Sequence, residues 1–229
     1  MARKKQTRGT CAFCKKEYAK GGMRKHLAAC SDYQDAVGKA EASKRKAQNL
    51  YHLVVGDAFM VDFWLHLEMI GSATLEDLDQ YLRAIWLECC GHLSEFQPGK
   101  HRYQKPELDM SLKADDVFPQ TKELIHLYDF GTTSETRVEA VGVRKGKPFT
   151  SHPIALLARN HLPEVSCKEC EKPARFLCME CVYEEEESGL LCEAHAKTHP
   201  HDEYGEPTPL YNSPRTGMCG YEGPAEPPY

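Results

Sequence analysis

Four pairs of potential metal ligands crowd into residues 167–201 of this 229-residue chain. They are Cys167 and Cys170, Cys178 and Cys181, Cys192 and His195, and His199 and His201. Two ligands on one tight turn can reach a single ion, and a second such pair completes a tetrahedral zinc site. The spacing therefore predicts two zinc ions in this segment.

The order of these pairs resembles a B-box-type or related cross-brace zinc module. That resemblance implies that the first and third pairs share one ion, bound by Cys167, Cys170, Cys192 and His195. We assign the second ion to Cys178, Cys181, His199 and His201. Cys219 competes with the last two histidines, because it lies between glycines on a turn that could fold back over the module.

A third set of ligands lies near the N-terminus, where Cys11, Cys14, His26 and Cys30 follow a basic arm. The two cysteines suit a β-knuckle, and His26 and Cys30, four residues apart, share one face of a helix. This set closely resembles a zinc finger of the Cys-Cys-His-Cys type. The chain is thus expected to bind three Zn²⁺ ions through four-ligand sites, which stabilise folds and do not activate water.

Charge is divided unevenly along the sequence. Residues 1–50 carry 13 Lys and Arg and 4 Asp and Glu, a net +9, whereas the other 179 residues carry 16 and 30, a net −14. Only the N-terminal fifth therefore suits a phosphate backbone or an acidic protein partner. One finger reads only about 3 base pairs, so sequence-specific duplex binding by this finger alone is not expected.

The composition supports one ordinary core and a reducing environment. The hydrophobic content of 41% suffices for a single core. A run of eighteen apolar residues is lacking, and so is an apolar segment after the N-terminal charges, so we predict neither a membrane span nor a secretory signal. A cytoplasmic location follows, where paired cysteines are metal ligands more often than disulfides.

The central segment, 50–162, has the pattern of an α+β domain. Alternation over 63–70 predicts a strand with one face on a core, and Thr74 with Asp77 predicts the capped start of a helix that runs towards Cys89 and ends by Gly91. Residues 153–160 suit a strand or a short helix. Further strands are predicted at 50–55, 92–96, 101–104, 124–130 and 136–143.

Two motifs of this central segment resemble the plasmid-encoded open-reading-frame-three-like family, also known as a passenger protein of mobile elements. They are TLEDLDQYLRAIWLECCGHLSEF at 74–96 and YDFG at 128–131. The resemblance covers roughly 50–160. It implies a compact α+β fold and an association with mobile DNA, without an established reaction.

Catalysis in the central domain is an alternative that the residues leave open. His92, His101 and His126 could converge with Glu95 and Asp129 in a polar cleft. Asp129, Phe130 and Gly131 form a triplet that also occurs in protein kinases, but a kinase would need a glycine-rich loop as well. We therefore interpret the triplet as a strand end, with Asp129 capping and Phe130 inward. Cys89 is expected to be buried beside Trp86.

The predicted organisation is α+β, a central sheet domain between two small zinc modules. The basic arm and finger span 1–32, a charged linker 33–49, the central domain 50–162, and the C-terminal module with its Pro/Gly-rich tail 163–229. We predict a zinc-binding adaptor that contacts nucleic acid or an acidic protein through the finger and a protein partner through the C-terminal module. The alternatives are an enzyme acting at the central cleft or Cys219, and a purely protein-binding module.

Overall fold

The computed structural model describes residues 7–102, 105–201 and 203–227. It contains an eight-stranded antiparallel sheet, in the order β2-β1-β8-β4-β3-β7-β6-β5, and a separate three-stranded sheet, β10-β9-β11. The predicted α+β class is therefore confirmed. The basic arm before Thr7 and the end of the strand predicted at 101–104 lie outside the described residues.

The strands are short at both ends of the chain and longer in the middle. The strands are β1 (Arg8–Cys11), β2 (Glu17–Ala19), β3 (Gln48–Asp57), β4 (Trp64–Ile70), β5 (Ser94–Pro98), β6 (Glu123–Tyr128), β7 (Ser134–Gly146), β8 (Ile154–Asn160), β9 (Phe176–Leu177), β10 (Leu190–Leu191) and β11 (Thr208–Pro209). The helices are α1 (Lys20–Ala29), α2 (Ser31–Glu41), α3 (Leu75–Leu82), a π-helical turn (Arg83–Leu87), α4 (Ala114–Val117), α5 (Met179–Tyr183) and α6 (Glu193–Ala196).

Helix α3 covers one face of the large sheet. Thr74 and Asp77 form the predicted capping box, in which the Thr74 hydroxyl accepts from Asp77 N and the Asp77 carboxylate accepts from Thr74 N. Ile85 and Trp86, in the π-helical turn, are fully buried in the main core. Apolar residues at helical spacing thus place this helix on the sheet, as the sequence predicts.

Strand β4 is buried on both of its faces. Leu65 and Leu67 face the core beneath α3, whereas Trp64, His66 and Glu68 point to the opposite face and are 1%, 1% and 4% exposed. The alternation predicted a strand with one face on a core, and the structure adds a cover on the second face.

The finger supplies that cover. Residues Gly9–Cys11 of β1 pair with Ala158–Asn160 of β8, so the strands of the finger extend the large sheet. Met23 and Leu27 of α1 pack with Trp64 in a second hydrophobic cluster. The segment interpreted as a charged linker, 33–49, is helical as far as Glu41.

The C-terminal segment forms its own small sheet and then returns to the central domain. Ser213 Oγ donates to Trp86 O at 2.6 Å, and Ala225 N donates to Ala84 O at 2.8 Å. Arg215 and Tyr221 are almost completely buried. Among the residues that the structure describes, no helix is long and apolar enough to cross a membrane.

Candidate metal centres

The finger residues predicted as ligands come together at one point. Cys11 ends β1, and Cys14 follows in a knuckle that Lys15 turns with a φ of 61°. His26 lies in the last turn of α1, and Cys30 caps its C-terminus. Cys14 Sγ is 3.2 Å from His26 Nε2, and the four ligand atoms all lie within 4.8 Å of one another.

Burial shifts the pKa values of two of these ligands, Cys11 and His26. It raises the pKa of the Cys11 thiol to about 11, although backbone N–H groups partly oppose it. Burial also lowers the pKa of His26, with Lys16 adding to the effect, so the imidazole is neutral at pH 7 and able to bind a metal. A divalent cation supplies the positive charge that lets neighbouring thiols ionise together.

The first C-terminal group contains Cys167, Cys170, Cys192 and His195. His195 Nδ1 lies 3.3, 3.6 and 3.5 Å from the sulfur atoms of Cys167, Cys170 and Cys192, and Cys170 Sγ is 3.9 Å from Cys192 Sγ. Burial opposes ionisation of Cys167, but hydrogen bonds from backbone N–H groups and from His195 lower its pKa to about 6. This sulfur is therefore prepared to act as a thiolate ligand.

The second C-terminal group contains Cys178, Cys181, His199 and His201. Cys181 Sγ lies 3.2 Å from His199 Nε2 and 3.3 Å from His201 Nδ1, and the two ring nitrogens are 3.2 Å apart. The pairs therefore interleave along the chain, first with third and second with fourth, which is the cross-brace order.

The distances in all three groups suit zinc. Zn–S and Zn–N bonds of about 2.3 and 2.0 Å give tetrahedral edges of about 3.8 Å between sulfurs, 3.5 Å between sulfur and nitrogen, and 3.3 Å between nitrogens. The sulfur–nitrogen distances are 3.2–3.7 Å. With four protein ligands each, these groups can hold metal ions as structural sites.

Charged neighbours hold the second C-terminal group in place. His201 turns Nδ1 to the sulfurs, and its Nε2 lies 3.4 Å from the carboxylate of Glu185. A carboxylate on the far nitrogen fixes the tautomer of a metal-binding histidine. On the other side, Lys168 Nζ donates to Cys181 Sγ at 3.3 Å, and its ion pair with Glu187 raises the pKa of the lysine.

A cleft of about 830 Å³ lies between the finger and the large sheet. Helix α1 contributes three cations, Lys20, Arg24 and Lys25. The sheet and the loop before β4 contribute apolar and aromatic residues, Val54, Val61, Trp64 and Val141. Two carboxylates, Asp62 and Glu139, also line the cleft. The indole Nε1 of Trp64 is buried and has no hydrogen-bond partner in the described part of the chain.

Two neutral histidines lie behind this cleft. His52 Nε2 and His66 Nδ1 are 2.9 Å apart, and His66 also lines the cleft. Burial lowers the pKa of His52 to about 4, with a contribution from Arg24. Burial is also the main cause that lowers the pKa of His66 to about 3, and the neighbouring His52 is the second cause. Both rings are therefore uncharged at pH 7, and the positive charge of the cleft comes from α1.

Two of the histidines hypothesised to form a catalytic cleft, His126 and His92, contact different carboxylates. His126 Nε2 lies 2.7 Å from Asp79 Oδ1 in the core, whereas His92 Nε2 lies 3.4 Å from Asp129 Oδ2. His101 is exposed, and the carboxylate of Glu95 accepts a hydrogen bond from the side-chain amide of Gln97. Neither these histidines nor these carboxylates line the cleft beside the finger.

The interpretation of Phe130 as an inward residue was wrong. Asp129 caps the turn as expected, since its carboxylate accepts from Gly131 N and Thr132 N at 2.9 and 3.2 Å. However, Asp129 has a φ of 65°, and the side chain of Phe130 is 49% exposed. The buried neighbour of Asp129 is Arg215 of the C-terminal tail, whose guanidinium pairs with the carboxylate.

The structure also assembles a group that the sequence patterns do not predict. Cys89, Cys90, His92 and Cys219 place one ligand atom each within 4.8 Å of the others. Cys219 therefore lies against the end of the π-helical turn, and His199 and His201 complete the second C-terminal group without it. The one signal in the sequence is that three cysteines remain outside the two predicted clusters, with His92 two residues after Cys90.

Comparisons with known proteins add little. No family model matches the chain, and no curated protein matches it. A solved structure, the protein of unknown function MM3350 from Methanosarcina mazei Go1, matches with a TM-score of 0.40 and 20% identity, over 47% of this chain and 67% of that chain. A likeness of this extent supports no argument about function.

Proposed function

We propose that this protein is a zinc-stabilised adaptor that binds nucleic acid in the cleft between α1 and the large sheet. Single-stranded nucleic acid suits the cleft because phosphates need cations and unpaired bases need apolar or aromatic surfaces. The observation that carries the proposal is that one cleft combines the cations Lys20, Arg24 and Lys25 with the accessible apolar side chains of Val54, Val61 and Val141.

The cations are placed by the finger. Arg24 and Lys25 are exposed on α1, and Arg24 Nη2 donates to Val141 O at 2.8 Å, which orients the guanidinium across the cleft. Lys20 is partly buried, and burial lowers its pKa against the attraction of Glu139. A desolvated cation gains from an anionic ligand, because its loss of hydration is then compensated.

The size of the cleft supports the same function. About 830 Å³ is within the range of small-molecule and cofactor sites, and would hold a nucleotide unit. Asp62 and Glu139 also line the cleft, so a binding phosphate must lie nearer to Lys25 than to these carboxylates.

The setting of the proposed function is reducing. The structure contains eleven free cysteines and its described pairs are arranged as ligands, which suits the cytoplasm. The association with mobile DNA, implied by the resemblance of 50–160 to the plasmid-encoded family, stays a prediction. So does a protein partner at the C-terminal module.

A salt titration of oligonucleotide binding tests the proposal. Fluorescence anisotropy on the zinc-loaded chain would compare wild type with Arg24→Gln/Lys25→Gln and with a control, Lys100→Gln/Lys197→Gln, that removes two exposed charges outside the cleft. Each lost phosphate contact should reduce the salt slope for single strands by about 0.7. We expect the cleft variant to bind about tenfold more weakly with a slope smaller by about 1.4, and the control to bind as wild type.

Two results would contradict the proposal. Unchanged affinity and slope in the cleft variant would show that nucleic acid does not use this cleft. Binding of polyglutamate, but of neither single-stranded nor duplex oligonucleotide, would identify an acidic protein as the ligand of the basic surface.

A further inference from the structure

The three cysteines outside the predicted sites meet at one place on the surface. Cys89 and Cys90 lie one residue beyond the π-helical turn, His92 follows Gly91, and Cys219 comes from the C-terminal tail. Cys90 Sγ is 3.1 Å from His92 Nε2 and 3.6 Å from Cys219 Sγ, and His92 Nε2 is 3.3 Å from Cys219 Sγ. Two segments far apart in sequence thus bring three donors into a triangle.

We propose a fourth Zn²⁺ site, held by Cys89, Cys90, His92 and Cys219. The edges of the triangle, 3.1–3.6 Å, are slightly shorter than those of a zinc tetrahedron, which are about 3.5 Å for sulfur–nitrogen and about 3.8 Å for sulfur–sulfur. They are also close to the distances in the three groups already described. Cys89 Sγ, 3.9 Å from Cys90 Sγ and within 4.8 Å of the other two donors, supplies the fourth corner.

The backbone at this site is shaped for ligation. Gly91 has a φ of 78°, which reverses the chain so that Cys90 and His92 lie side by side. Cys219 has a φ of 49° between Met218 and Gly220, a left-handed conformation that few non-glycine residues adopt. A bound ion would offset the cost of holding Cys219 in this conformation.

The approach of the tail does not depend on the ion. Arg215 is completely buried, where it donates to Thr132 O at 2.6 Å and pairs with Asp129, and Ser213 is bonded to Trp86 O. These contacts hold the tail four residues before Cys219, so the sulfur is delivered to a prepared place. Preorganised ligands bind a metal more tightly, because less chain entropy is lost.

The charge around the site also favours a cation with three thiolates. A Cys₃His site with Zn²⁺ carries a net charge of −1. Arg215 Nη2 lies 3.6 Å from Cys89 Sγ, and Tyr128 Oη lies 3.7 Å from the same sulfur. Such donors to a ligand sulfur stabilise the thiolate. The carboxylate of Asp129, 3.4 Å from His92 Nε2, adds negative potential that attracts the ion.

With this site, all eleven cysteines of the chain become metal ligands, three in each of three sites and two in the other. The fourth site differs from the others in exposure, since Cys90 and Cys219 are both exposed. Its ion should therefore leave first when a chelator is added. The site would act as a releasable clip between the C-terminal tail and the central domain.

Elemental analysis and thiol labelling of the full-length protein test the proposal. Zinc-loaded wild type should contain four equivalents, whereas Cys219→Ser and His92→Gln should each contain three, and His101→Gln, an exposed histidine outside every group, should keep four. In wild type, alkylation followed by mass spectrometry should find Cys90 and Cys219 protected despite their exposure. Both should become reactive before any other cysteine as chelator is added.

Contrary results are equally definite. Three equivalents in wild type, with Cys90 and Cys219 alkylated at once, would overturn the site, as would a disulfide between them under reducing preparation. Because Cys219→Ser could disturb the tail, His92→Gln provides an independent variant. Labelling of wild type requires no variant at all. None of these outcomes bears on the cleft, so the nucleic-acid proposal stands or falls separately.

Discussion

The N-terminal finger and the C-terminal module use the same kinds of ligand but are attached differently to the rest of the molecule. In the finger, β1 pairs with β8 of the large sheet, and Met23 and Leu27 pack against Trp64. The C-terminal module has its own three-stranded sheet, and its buried cluster consists of Leu191 and the four cysteines Cys167, Cys178, Cys181 and Cys192.

This difference implies that a bound metal ion would have a different structural role in each region. A module with one fully buried leucine has too little apolar area to offset its conformational entropy, so bound ions would replace a core. The finger shares a core and a sheet edge with the central domain, so an ion bound there would mainly fix the knuckle against α1. We therefore expect loss of metal to affect the two regions to different extents.

The largest effect is expected from Cys181→Ser. This change removes a fully buried ligand of the second C-terminal group. Because the two sites interleave, disorder around one reaches the ligands of the other, and we expect the whole segment 167–201 to unfold. Limited proteolysis should cut within this segment, and zinc content should fall by up to two equivalents. Protease resistance equal to that of wild type would contradict the expectation.

A smaller effect is expected from Cys11→Ser, the matched change in the finger. One zinc equivalent should be lost, but the pairing of β1 with β8 should survive. The amide of Ala12, which donates to Leu157 O at 2.8 Å, and that of His161, which donates to Arg8 O at 2.8 Å, should stay protected from hydrogen exchange. If the exchange of both amides becomes as fast as in an unfolded chain, the finger depends on metal as much as the C-terminal module.

Truncating an apolar residue of the finger measures how much the shared core contributes to its stability. Leu27, on helix α1 of the finger, is 2% exposed, and Leu27→Ala should lower the free energy of unfolding by about 2–5 kcal/mol through lost burial and a cavity. Zinc content should not change. Urea denaturation measures the loss, and a value near zero would mean that the finger is held by its ion and not by the shared core.

The smallest effect is a dependence of stability on pH at the junction of finger and sheet. The folded-state pKa values of His52 and His66, about 4 and about 3, lie below the value of 6.5 for an unperturbed histidine. The unfolded chain therefore binds more protons below about pH 6.5, and stability falls as pH decreases towards about 4. Their contribution is fully present above about pH 6.5.

Urea midpoints at about pH 7.5 and pH 5 would isolate this contribution. Wild type should lose more stability between the two values than the double variant His52→Gln/His66→Gln. Both proteins keep the same metal ligands, so acid effects on the metal sites cancel in the comparison. An equal loss in both proteins would contradict the assignment.

How much the sequence can predict depends on the distance between the residues involved. The ligand pairs and the capping box of Thr74 and Asp77 are local patterns, and they suffice to identify three of the four Cys/His groups and helix α3. The pairing of Gly9 with Asn160 and the insertion of Arg215 beside Asp129 join segments far apart in the chain. Neither leaves a periodic signal, so the cover over β4, the cleft and the position of Cys219 emerge only in the folded chain.

Hydrogen exchange of the full-length chain, with and without a chelator that removes all metal, measures whether ions take the place of a core in the C-terminal module. We predict that the amides of Arg175 and Cys178, which donate to Leu191 O and Gly189 O at 2.8 Å, lose their protection on metal removal. Amides in the β3–β4 ladder should keep theirs. Full protection of Arg175 and Cys178 in protein shown to be metal-free would contradict the claim that ions take the place of a core in the C-terminal module.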